Sequence, residues 1–254
     1  MSVSGNIEKY TDTRLAIIFM NIDHAAGRGL YLNSASWWYL AALAVLGAGS
    51  MLAASRFPGG FDWAYTVASA LASQKHNPQG SFWFASALTL AMALLWPYVS
   101  ALKQRQDSTH PELVTFSIRA LRTGLLCGAL LGLERLLIRD LSAQLYKAHE
   151  TLGLFTFLGL YFGIISLLVR AMLSQKTHVF TLMLIASPLL AIGITQYWLY
   201  LDQRDLGWVD TGWRAMGIPV WLSFAFWQWL AIGFLWLGLG LLSFTGVRRD
   251  SKEY

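Results

Sequence analysis

The chain has 254 residues, 56% of them hydrophobic and only 13% charged, with a formal net charge of +5. Soluble domains carry about 25% charged residues, so this much apolar surface points to a bilayer as the solvent. The basic residues form no run, which removes the footprint of nucleic-acid binding. The single cysteine, Cys127, excludes a disulfide framework or a thiolate metal site within the chain.

Residues 1–36 are mixed and polar, with no signal-peptide pattern and no lipidation motif. Within them Leu15, Ile18, Phe19 and Ile22 recur at helical spacing in a stretch too polar to cross a membrane. A helix lying on the cytoplasmic interface is expected there. Six apolar runs follow: residues 37–54, 82–102, 113–138, 148–173, 179–201 and 219–244. Each approaches or exceeds the roughly 20 residues needed to cross a hydrocarbon core as helix. The reading is an all-α polytopic bundle of about six transmembrane helices spanning 37–246, with a tail at 247–254. If the N-terminus lies on side one, that side carries twelve of the 19 lysines and arginines. This bias places both termini in the cytoplasm of a multi-pass protein, a bacterial inner-membrane protein by type.

Aromatic residues mark the membrane interfaces: Trp37, Trp38 and Tyr39 on the first run, Trp96 and Tyr98 on the second, and Tyr197, Trp198 and Tyr200 on the fifth. In the third run Gly124, Gly128 and Gly132 make a smooth face. It suits close approach of another helix, of the same chain or of a protein partner or second copy, and it implies a central place in the bundle. No charge is expected near the centre of any run.

The candidate chemistry gathers on the outer side. The first outer loop holds Asp62, expected to cap a helix starting at Trp63, then Ser69, Ser73, His76 and a turn Asn77-Pro78-Gln79-Gly80 feeding the second span. Glu134, Arg135, Arg139 and Asp140 close the third run, Lys147, His149 and Glu150 open the fourth, and Asp202, Arg204 and Asp205 close the fifth. Arginine at a helix C-terminus and glutamate at an N-terminus also suit the helix dipole with no ligand involved. Glu134, about one turn inside its run, is costly there without a partner. Asp62, Ser69 (or Ser73), His76 and His149 have the composition of a hydrolytic triad, but no nucleophile-elbow motif surrounds either serine. The five histidines show no paired ligand spacing, so no metal or other cofactor is expected.

Phe61-Asp62-Trp63, Ser69-Ala70-Leu71-Ala72-Ser73 and Asn77-Pro78-Gln79-Gly80 resemble the first outer loop of DUF998-type six-helix proteins and the wider Frag1/DRAM/Sfk1-like group. So does Gly212-Trp213-Arg214-Ala215-Met216-Gly217-Ile218 running into a last span with Trp221. The resemblance implies six helices with both termini inside. Through eukaryotic relatives it also implies a link to lipid-anchor remodelling and membrane-lipid organisation. The expected function is an outward-facing polar pocket for a lipid or lipid-linked head group, lined by Asp62, His76, Asn77, Glu134, Arg135, Arg139, His149 and Asp202. Arginines would take phosphate and carboxylates would take hydroxyls or amines. The alternatives are a non-catalytic assembly subunit, packed through the glycine face and Trp227, Trp229 and Trp236, and an intramembrane lipid hydrolase or acyltransferase. Glu134 discriminates: facing outward it needs a partner to cover it, facing inward beside His149 or Arg139 it favours a pocket.

Overall fold

A computed structural model describes residues 34–105, 110–138, 143–175, 179–203, 217 and 219–242. The expected interfacial helix at 10–22, Arg139, Asp140, Arg204, Asp205 and the outer stretch 212–216 lie outside the described residues. The described chain is helical with no strand: α1 (Ser34–Ser55), α2 (Ala68–Leu71), α3 (Ser81–Arg105), α4 (Pro111–Leu137), α5 (Ala143–Gln175), α6 (Val179–Gln203), a 3-10 turn (Val220–Leu222) and α7 (Phe224–Leu242). Five helices (α1, α3, α4, α5 and α7) are long and apolar enough to cross a membrane; in α6 the apolar part is shorter, Val179–Thr195. Such segments are helical because lipid offers no partner for backbone N–H and C=O groups. Their serines and threonines obey the same constraint, as Ser50, Thr89, Ser117, Thr156 and Thr195 each donate back to a carbonyl four residues earlier.

Glycine sets the closest helix contacts. A methyl group at Gly124 would lie 2.8 Å from the Leu160 nitrogen, and one at Gly159 would lie 2.7 Å from the Gly124 nitrogen, so α4 and α5 touch backbone to backbone. Gly128 meets Met92 and Thr156, and Gly132 meets Ala85 and Thr89. The predicted glycine face is therefore filled by α3 and α5 of the same chain. Gly49 seats α1 against Ala87 of α3 in the same way.

α4 lies between α3 and α5, in the central place its glycine face predicts, and a second meeting point of helices is α7. Three tyrosines from three helices donate to its backbone carbonyls: Tyr39 of α1 to Trp236 at 2.8 Å, Tyr98 of α3 to Leu239, and Tyr161 of α5 to Ala231 at 3.2 Å. Gly238 on the same helix packs on Ile164 of α5 and Ile185 of α6. A helix carbonyl has a second lone pair, and in lipid a phenol has few other places to put its hydrogen.

Candidate functional site

Loop 56–80 folds as a cap over the start of α7. It is built on apolar edges and a few directed bonds. Phe61 and Trp63 stack edge-on against Trp229, with centroids 5.9 and 4.7 Å away, and Phe57 packs on Phe61 at 5.1 Å. The loop backbone is tied down by side chains of the α7 region. Gln228 accepts from the Ala68 N–H at 2.9 Å, Ser223 donates to the Ala64 carbonyl at 2.5 Å, and Trp229 donates to the Thr66 carbonyl at 3.0 Å.

This cap assigns different roles to most of the loop residues that the sequence put in a pocket. Asp62 is exposed and accepts the Ala64 N–H at 2.8 Å; it caps a turn, and the short helix starts at Ala68 instead of Trp63. Asn77 is fully buried, and both its amide hydrogens are used inside the chain, on the carbonyls of Ala53 (2.9 Å) and Leu71 (3.3 Å), while its oxygen takes the Gly80 N–H at 3.0 Å. It locks the loop to the end of α1 and has no donor left for a ligand. Ser73 is buried and its Oγ accepts the His76 backbone N–H at 3.3 Å, while the His76 side chain is exposed. Among the described residues no hydrogen bond joins Ser69 or Ser73 to a histidine ring, so the triad suggested by composition is not assembled there.

The two helix-end residues do meet. Glu134 near the end of α4 and His149 of α5 lie Oε2 to Nδ1 at 2.8 Å, with their side chains only 9% and 10% exposed. One hydrogen is shared between Nδ1 and Oε2. Among the described residues the other carboxylate oxygen, Oε1, is buried with no hydrogen-bond partner. A low-dielectric setting strengthens the bond made and raises the cost of the one unmade. Glu134 thus faces inward beside His149. Arg135 is its chain neighbour and lies in the last turn of α4. Arg139 lies outside the described residues, and Asp202 falls in α6 with its side chain outside them. No three histidine, cysteine, aspartate or glutamate side chains converge among the described residues.

Sequence reasoning missed the α7 carbonyls as tyrosine acceptors and the role of Gln228. Neither has a periodic signal, because a tyrosine in a span reads equally well as an interfacial anchor. It also missed Arg122, which lies about three turns inside α4 instead of at its end. Comparison with protein-family models, with curated proteins and with solved structures finds no match to this chain.

Proposed function

We propose that the protein crosses the membrane six times, with α6 as the sixth span and both termini cytoplasmic, as the DUF998-type resemblance also implies. Its outer end binds a lipid or lipid-linked head group at the Glu134–His149 pair. The observation carrying this reading is Glu134 Oε1: a buried carboxylate oxygen with no hydrogen-bond partner among the described residues. A purely structural tie between α4 and α5 has little to add where the Gly124–Gly159 contact already holds the helices together. The unfilled acceptor suits a donor from outside the chain, a head-group hydroxyl or ammonium, and Arg135 beside it suits the accompanying phosphate. Asp62 and Asn77, spent on the chain's own backbone, are not part of this site.

Native mass spectrometry of gently solubilised protein tests it, comparing wild type with Glu134→Gln and His149→Gln. A lipid that co-purifies with wild type and is lost from the variants supports the site. Equal retention by all three, or no retained lipid, removes it. The second reading is an assembly subunit, and one observation favours it. The span of α1 is 22% buried, against 39–44% for the other four, so α1 presents the barest face to its surroundings. A protein co-purifying in place of a lipid would bring that reading forward. The glycine face, Trp229 and Trp236 are already occupied within the chain, so they would not be its docking surface.

A further inference from the structure

At the end of the bundle opposite loop 56–80, α3 and α4 run antiparallel and present two polar stripes to each other. The α3 stripe is Trp96, Ser100 and Lys103. The α4 stripe is Arg122, Arg119 and Thr115. Each set is spaced three or four residues apart and so shares a helix face. The Arg122 guanidinium sets the register: Nη2 donates to Ser100 Oγ at 3.2 Å, and Cζ lies 5.6 Å from the Trp96 ring centroid. Ser100 in turn donates to the Trp96 carbonyl at 3.0 Å. Lys103 and Arg119, both exposed, lie one turn further out on the two stripes. An open depression of about 360 Å³ on the first turns of α4 is walled by Pro111, Glu112, Thr115, Phe116 and Arg119.

Arg122 is poorly served by the chain itself. Its Nε is buried without an acceptor among the described residues, and its hydrogen-bond partner there is a neutral hydroxyl. Among the described residues none of the three cations is in ion-pair contact with a carboxylate, and Glu112 is the one acid in the depression. Among the described residues, three positive charges near a single carboxylate, with an unmet donor at membrane depth, make an arrangement that an anion completes. The Trp96 indole, 42% exposed, lies at the level where tryptophan meets head groups.

We propose that this α3–α4 groove binds a phosphate group, with Arg122 and Arg119 as directed donors and Lys103 as a point charge. The same chemistry is offered by the phosphodiester of an anionic phospholipid and by phosphate free in solution. The site is independent of the Glu134–His149 pair, which lies near the other end of α4.

The test is titration of the full-length solubilised protein with phosphatidylglycerol, read by native mass spectrometry against phosphatidylcholine. A parallel calorimetric titration uses inorganic phosphate. Wild type is expected to hold phosphatidylglycerol in preference to phosphatidylcholine, and Arg122→Gln to weaken it at least about tenfold. Arg122→Lys keeps the charge but loses the planar fork, and is expected to weaken binding too. Arg119→Gln and Lys103→Gln, at exposed positions that leave the packing intact, should each weaken it several-fold, and Lys75→Gln at the other end should not. Saturable binding of inorganic phosphate, lost in the same variants, would assign the site to soluble phosphate instead of a head group. The proposal is overturned if neither probe binds, or if Lys75→Gln weakens binding as much as the groove variants do.

Discussion

Asn77 shows how much one side chain decides in this fold. Its amide closes three contacts at once, onto the end of α1, the end of α2 and the turn before α3. Replacing it with alanine removes three hydrogen bonds, leaving the Ala53 carbonyl only the Arg56 N–H and the Gly80 N–H only the Asn77 backbone carbonyl. Asn77→Ala is therefore expected to lower stability by about 3 kcal/mol. For a chain of this size that is roughly 6–12 °C in Tm, readable from tryptophan fluorescence during heating in detergent. A loss under about 1 kcal/mol would mean that the loop holds its place without the lock. The sequence shows Asn77-Pro78 as a turn, and a turn it is. What it does not show is that the asparagine points inward, because the asparagine of an Asn-Pro turn is as often a solvent-facing cap. The Glu134–His149 pair was legible from position alone, since a carboxylate one turn inside a span needs a neighbour and the next helix begins with a histidine.

At the scale of helices, the glycines divide into those that hold a neighbour and those that do not. Gly159→Ala would push a methyl group to 2.7 Å from the Gly124 nitrogen and should cost about 1–3 kcal/mol by forcing α4 and α5 apart. Gly153→Ala, on the same helix with nothing within 4 Å, should leave stability unchanged or raise it by up to about 1 kcal/mol through helix propensity. Parallel melting curves check both, and equal effects would contradict the packing described. The three tyrosine bonds to α7 make a separate prediction. Membrane hydrogen bonds average about 0.6 kcal/mol, so the combined Tyr39→Phe, Tyr98→Phe and Tyr161→Phe variant should lose roughly 2 kcal/mol. The sequence gives a clear four-residue rhythm for the α4 glycines, because helix contact is a repeated event along an axis. It gives none for α7, whose partners arrive from three different helices at unrelated spacings.

For the whole molecule, the proposed topology is checkable with Cys127→Ala as a background. Ser2→Cys and Ser251→Cys should react with an impermeant thiol reagent only from the cytoplasmic side, and Gln79→Cys, exposed in the loop, only from outside. Labelling of the two ends from opposite sides would remove α6 as a span. The helical fold class and five long apolar helices were legible because hydrophobicity must persist over a full membrane thickness. The cap of loop 56–80 was not, since its bonds join residues 159, 160 and 163 positions apart. Those separations have a consequence for biogenesis. At a synthesis rate of about 5–20 residues per second, the loop waits roughly 8–30 s for the helix that fastens it. Until α7 is made, the half-made protein carries an unfastened loop outside the bilayer, joined in turn by tyrosines whose α7 acceptors are still missing. A chain that stops before α7 keeps that state and should be cleared by quality-control proteases far faster than the full-length protein.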